Sequence, residues 1–421
     1  MQLKVPSTIL NMFTGKLTTT VHPGVAVDHS PQIKIDQMTA DLVQGTLETA
    51  NTPSMCCQYF MEVRPNERSY QEDSCAMYTW CQTFKDNNSN NDETNPLMMF
   101  AVMDGHSDRG WYSSGPEEKY EGAMLGPLVA DRMRDAFEKV LCEFPKSCFE
   151  TQSEEVCKQL TDQATLVDES LLKEGLGASS GTTFSFALVT ETHVVIGNSG
   201  DSHACYHVLE GEKFDVLEFF RAPGIADTFN VEKMNEAIKR ADERCKMAPD
   251  MKEIMEERTA MERKEMERVQ RAGLEIRTRF VQTLAVTRSF GDFDHKSNPE
   301  VGGLENQGVI ACPSMRILKR NTDKKEVLGL FTDGLIFNSK KNWRYRDGLV
   351  LVASALEDIY CEELLQKASR YIYFRAMNHG DGDNSGMILV KLHRDCHLKS
   401  KKNTEEKDET NQKRKHDDAQ T

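Results

Sequence analysis

The sequence has no C-x-x-C pair, and of its twelve cysteines only Cys56 and Cys57 are adjacent. That scatter argues against a zinc ribbon or a disulfide framework and fits reduced intracellular thiols. Nowhere do apolar residues run together for the roughly 18 positions that a membrane-spanning helix needs. The opening stretch Met1–Thr20 also lacks a charged segment followed by an unbroken apolar one, so neither a secretory leader nor a membrane anchor is expected. Positive charge is in deficit: 52 Lys and Arg stand against 67 Asp and Glu, a formal net charge of -15. A surface of that sign repels phosphate backbones, and no nucleic-acid partner is expected.

What remains is a soluble globular composition, with 38% hydrophobic residues among 421, enough to furnish a buried core. Residues 1–54 mix Thr, Pro, Gly and polar residues without a period and read as a partly ordered extension. The globular part is expected over residues 55–392, and residues 393–421 form a charged tail with both signs in blocks. Its Lys413-Arg414-Lys415 cluster resembles a nuclear import signal, but in so short a charged tail such a cluster more often only solubilises, so a cytoplasmic location is expected, with a nuclear one as the alternative.

Short apolar runs bounded by Gly, Asp or Asn predict strands at Met98–Met103, Thr182–Val189, His193–Gly197 and Val327–Phe331. Spacings of three and four predict helices over Lys119–Phe144 and Glu155–Leu172. Strands and helices therefore alternate in a mixed α/β order. Residues 231–271 are dense in Glu, Lys, Arg and Met and read as a charged helical insertion, either a solvated face or a docking surface.

The chemistry is carried by aspartates at strand ends. Asp104 follows MMFAVM and precedes Gly105 and His106; Asp333 follows VLGLFT and precedes Gly334; Asp383 stands just before the apolar stretch Met387–Val390. A strand end aims a side chain from a rigid base, and several on one rim can converge on a cation. Oxygen-only ligands suit Mg2+ or Mn2+. Singly, each Asp-Gly is equally a turn dipeptide.

Upstream lies Arg68-Ser-Tyr-Gln-Glu72-Asp73. The ordered series RSYQED, MDGH, SSGTT, GNSGDSHACY, AGLEIRTRFVQTLAVTRSFGDFDHK, VIACPS, LFTDG and GDGDNSGMILV resembles the motif set of the metal-dependent type 2C serine/threonine protein phosphatases, across residues 55–392. The resemblance implies a central sandwich of two antiparallel β-sheets flanked by helices (α-β-β-α, an α+β fold) with a two-cation site at one end. It implies metal ligation by Asp73, Asp104, Gly105 through its carbonyl, Asp333 and Asp383. Asp201 matches a weaker third metal position and otherwise reads as a hairpin turn.

By the same resemblance Arg68 engages phosphate, His106 is the general acid and Glu72 orients water, while Asp292 helps fix the loop near the site. Phosphorylated proteins are the implied substrates, hydrolysed by a monomer with two Mg2+ or Mn2+ ions. Ser180-Gly181-Thr182 and Leu284–Arg288 read as packing and turn elements.

Ser107 and Asp108 replace the usual glycines, Arg221-Ala222-Pro223-Gly224 leads into the insertion, and Phe337 stands where the family has a second aspartate. These departures motivate an alternative, a pseudophosphatase that keeps the fold as a binding module. No cysteine begins the C-x5-R loop that a cysteine-nucleophile phosphatase needs.

Overall fold

Among the described residues of the computed structural model, every ladder between strands is antiparallel. The structure describes residues 18–21, 46–51, 56–64, 71–84, 93–107, 119–141, 148–210, 213–220, 263–274, 276–277, 280–281, 284–335 and 383–393. The first strands are β1 (Thr18–Val21), β2 (Thr46–Asn51), β3 (Cys56–Arg64), β4 (Ser74–Phe84), β5 (Glu93–Met103) and β6 (Gly105–Ser107). Helix α1 (Lys119–Leu141), the single turn α2 (Cys148–Thr151) and α3 (Ser153–Lys173) come next. Strands β7 (Ser180–Thr182), β8 (Phe184–Val189), β9 (His193–Ser199), β10 (His203–Glu210) and β11 (Lys213–Phe220) follow. Residues 263–271 are helical. The last strands are β12 (Ile276–Arg277), β13 (Phe280–Val281), β14 (Phe290–Gly291), β15 (Ser314–Lys319), β16 (Lys325–Phe331) and β17 (Ser385–His393).

Two six-stranded sheets result, in the orders β1-β4-β5-β8-β9-β15 and β11-β10-β16-β17-β3-β2, with a small β14-β7-β6 sheet beside them. Side chains alternate across a strand, and here both faces are apolar. Met98, Phe100 and Val102 of β5 and Cys75 and Met77 of β4 face Tyr59, Tyr206, Leu330, Ile388 and Val390 of the second sheet. The intervening residues Tyr78, Trp80, Leu97, Met99 and Met103 lie under the helices. A run such as MMFAVM is thus unbroken because it is buried on both sides. Burying each such side chain contributes about 1.5–3 kcal/mol.

The helices earn their place by period. Leu125, Val129, Met133 and Phe137 of α1, and Val156, Leu160, Ala164, Val167 and Leu171 of α3, form stripes at spacings of three and four against the first sheet. Among the described residues no helix covers the outer face of the second sheet, so the α-β-β part of the expected sandwich lies within them. No described helix is long and apolar enough to cross a membrane. Cys57, Cys75, Cys148, Cys157, Cys205 and Cys312 form no disulfide among the described residues.

Two readings change in detail. The predicted Thr182–Val189 strand divides at Thr183, whose backbone N–H leaves the ladder to donate to the Asp104 carbonyl at 2.9 Å. The last part of the charged segment, residues 263–271, is packed: Val269 is buried with Leu284, Val286 and Val309. Glu265, 3% exposed, accepts from Arg268 and Arg288 at 2.6 and 2.8 Å. A helix so rich in charge buries because its acid is neutralised by two guanidinium groups. The remainder of that segment, Arg68, Asp108, the Arg221–Gly224 stretch, Phe337 and the C-terminal tail lie outside the described residues.

Candidate metal centre

Antiparallel pairing places the end of one strand beside the start of its neighbour. Ser74 pairs Met103, Phe184 pairs Ser199, and Phe331 pairs both His203 and Met387. Asp73 before β4, Asp104 after β5, Asp201 between β9 and β10, Asp333 after β16 and Asp383 before β17 therefore occupy one rim of the sandwich. Carboxylate oxygens of Asp104, Asp201 and Asp333 lie within 4.8 Å of one another. Asp201 is thus a full member of this trio and not peripheral to it, although it also sits in the β9–β10 hairpin.

Asp73 is buried at 1% exposure. Its Oδ2 accepts from Thr332 Oγ1 at 2.7 Å, and its Oδ1 has no hydrogen-bond partner among the described residues. Burial first, and then the charges of Asp383 and Asp333, hold its carboxyl well above the ordinary range. Asp104 is raised by burial, then by Asp73 and Asp201; Asp333 by burial, then by Asp201 and Asp104. Asp383 belongs to the same field, and its Oδ1 accepts the Asn384 backbone N–H at 2.8 Å. Like charges crowded in a partly buried site favour either protonation or a cation. The all-oxygen donor set and the orphaned Asp73 oxygen fit a hard divalent ion.

The frame behind these aspartates was not visible in the sequence. Thr332 Oγ1 also accepts from Gly386 N at 2.7 Å, tying an acid of the first sheet to two strands of the second. Thr183 Oγ1 accepts from Asp104 N at 3.0 Å and pairs with Ser202 Oγ at 2.7 Å. Asn384 Oδ1 accepts the Glu72 N–H at 3.0 Å. Glycines let the backbones close in. A Cβ at Gly105 would stand 2.7 Å from the Glu72 carbonyl oxygen, and one at Gly334 would collide with that of Asn384.

His106 lies in β6 beside β7. Its Nε2 is 2.7 Å from Asp292 Oδ2. Burial pushes the imidazole down, but the Asp292 charge and hydrogen bond outweigh it and raise its pKa to about 9. Asp292 is fully buried in a left-handed backbone conformation, φ 53°, and also accepts from Ser289 Oγ. Its carboxylate lies over Gly181, where any Cβ would collide with it. The SSGTT block therefore serves packing, as its sequence suggested, and the packing it serves is that of the His106 partner. Glu72 is 5% exposed, and its charge adds to those favouring protonated His106.

Residues 241–342 match the family model described as Protein phosphatase 2C; of the site residues, Asp292 and Asp333 fall inside that match. The Caenorhabditis elegans protein named protein phosphatase ppm-1.A is 25% identical over 307 residues, which cover 69% of this chain and 51% of that relative. The chain thus spans about half the length of that curated relative. Among solved structures, a C. elegans sex determining protein is 19% identical, with 81% of this chain and 66% of that one covered at a TM-score of 0.46. A phosphatase from Toxoplasma gondii is 17% identical, with 82% and 95% covered at a TM-score of 0.49. On its sequence matches, the chain carries protein phosphatase 2C sequence over residues 241–342 and is similar over 307 residues to a protein phosphatase of C. elegans.

Proposed function

We propose that this chain hydrolyses phosphoserine and phosphothreonine in proteins, with two divalent cations, Mg2+ or Mn2+, held by Asp73, Asp104, Asp333 and Asp383 and the Gly105 carbonyl, and with Asp201 beside them. The convergence of the Asp104, Asp201 and Asp333 carboxylates within 4.8 Å carries this reading. Cations there would supply Lewis acidity toward a phosphoryl oxygen and a nucleophile from water at neutral pH.

The chain's own side chains supply position and a proton. Thr332 and Gly386 fix Asp73, and Thr183 fixes the Asp104 backbone. His106 stays protonated at neutral pH, and with Nε2 committed to Asp292 its Nδ1–H is the one free to reach the departing serine or threonine oxygen. Glu72 keeps its proposed role of orienting water at the rim. Arg68 keeps its proposed role as a phosphate clamp, for which a planar guanidinium is suited.

Hydrolysis of a phosphothreonine peptide by the full chain, with EDTA and then with Mg2+ or Mn2+, tests the reading. Turnover restored by either cation is the expected result. Measured cation binding without turnover would overturn it and leave a non-catalytic binding protein with the same fold.

A further inference from the structure

A cavity of about 750 Å³, lined largely by charged residues, opens beside the helix at residues 263–271. Among the described residues, Lys264, Arg268, Arg271 and Arg288 line it together with two carboxylates, Glu265 and Glu305. The excess of positive charge matters because the whole chain carries -15: this is a local inversion of the surface field, which draws anions. Lys264, Arg268 and Arg271 fall at i, i+4 and i+7 of the helix, so they share one face.

The donors in this cavity are unequally committed. All five N–H groups of Arg268 are engaged, by Glu265 and by the carbonyls of Gln307, Gly308 and Thr287. Arg288 gives Nε and Nη2 to Glu265 and Nη1 to the Cys312 carbonyl at 2.6 Å, which leaves two N–H groups. Lys264 and Arg271 make no ion pair among the described residues, and the one hydrogen bond of Arg271 goes to the Glu267 carbonyl. The buried Glu265 thus orients two guanidinium groups in the lining, and Lys264 and Arg271 add two cations with no carboxylate partner among the described residues.

Position gives the cavity its meaning. Ser314, on its wall, pairs with Asn198 near the end of β9, the strand that delivers Gly200 and Asp201 to the acidic rim. The Arg288 carbonyl oxygen would be 3.2 Å from a Cβ at Gly200. Basic cavity and acidic centre are therefore neighbours on one rim.

We infer that this cavity binds a second anionic group of a phosphorylated peptide, a carboxylate or a further phosphate flanking the residue presented to the metal centre. The inference rests on the phosphatase reading for the first group, and its ligand chemistry rests on the cavity alone. Charge complementarity of this kind sets partner choice more than the chemical step.

Lys264→Gln/Arg271→Gln in the full chain removes two cations of the cavity at exposed positions. Three phosphothreonine peptides serve as probes: one with neutral flanks, one with flanking glutamates and one with a second phosphothreonine. Wild type is expected to favour the two acidic peptides, and the variant to lose roughly tenfold in kcat/KM on them while retaining its rate on the neutral peptide. Equal loss on all three peptides, or none, overturns the inference. The two acidic probes separate carboxylate from phosphate as the bound group. The same peptides titrated in EDTA by fluorescence anisotropy keep the test independent of turnover. Tighter binding of the acidic peptides to wild type but not to the variant upholds the cavity even if hydrolysis is absent, whereas equal binding sinks it even if hydrolysis is brisk.

Discussion

Asp292 Oδ2 sits 2.7 Å from Nε2 of His106, joining strand β6 to the turn that follows β14, 186 residues apart in the chain. The carboxylate is completely buried. Burial pushes its pKa up, yet the charge and hydrogen bond of His106, with help from Ser289 and Lys296, hold it below the ordinary range. The imidazole moves the opposite way, from near 6.5 to about 9. Each partner stabilises the charged form of the other, which is how a general acid stays loaded at neutral pH.

Asp292→Asn should therefore lower kcat on a phosphothreonine peptide by on the order of 10- to 100-fold, part of what general acid catalysis contributes. The same variant tests the linkage. A histidine whose pKa rises on folding adds stability that is full below about pH 6.5 and is lost as pH climbs through about 9. The melting-temperature gap between wild type and variant should shrink over that window. A gap constant with pH would show that the two residues are not coupled through charge.

Strands and the rim aspartates were legible in the sequence for a common reason. A strand buried on both faces is an unbroken apolar run, and an aspartate at its end marks the rim, so Asp104, Asp333 and Asp383 could be read directly. Asp201 reads as a hairpin turn because its Asp-Ser context is that of a turn; only the register of β9 with β8 and β15 brings it to Asp104. The role of Asp292 as histidine partner left no local signal, since its 186-residue separation from His106 is bridged by tertiary packing. Glu265 was misleading for an equivalent reason: a charged helix reads as solvated, and the two arginines that allow its burial act through contacts that periodicity does not encode.

The crowded aspartates predict a stability trade. Carboxyls whose pKa values are raised by burial and by one another destabilise the cation-free protein as pH rises from about the ordinary carboxylate value of 3.8 to neutrality. Asp104→Asn should then melt above wild type in EDTA at pH 7. With Mn2+ at a hundredfold over its Kd, wild type should gain about 2.7 kcal/mol and the variant much less, so that the order reverses. Cation-dependent hydrolysis should vanish in the variant. Thermal melts with and without EDTA read the first two outcomes, and an unchanged order would remove Asp104 from the ligand set.

Lys296 Nζ and Asp168 Oδ2 form an ion pair at 2.7 Å with neither side chain exposed. Lys296 also donates to the Ser289 carbonyl and Asp168 accepts from Gly291 N, so α3 grips both sides of the loop that carries Asp292. Burial holds the Asp168 carboxyl above its ordinary range despite the lysine; desolvation outweighs attraction, and the pair places the loop more than it stabilises the fold. Lys296→Met leaves a buried carboxylate unpaired and should cost about 3–5 kcal/mol by urea denaturation. A cost below 1 kcal/mol would mean that the loop is held by other contacts.

Thr332→Val is the finest probe of the acidic rim, because it removes one hydroxyl at nearly constant shape. That hydroxyl donates to Asp73 Oδ2 and accepts from Gly386 N, both at 2.7 Å. Without it a buried carboxylate oxygen and a buried N–H lose a partner, each at a cost of about 1–3 kcal/mol. The bond to Thr332 is also what restrains the upward shift of the Asp73 carboxyl, so its loss should favour protonation and make Asp73 a poorer ligand. Weaker Mn2+ binding by calorimetry, by roughly 10- to 100-fold as for other groups that orient a metal ligand, is the expected outcome, together with a steeper loss of binding as pH falls. Unaltered affinity with only a lower melting temperature would assign Thr332 to the fold and leave the metal centre independent of it.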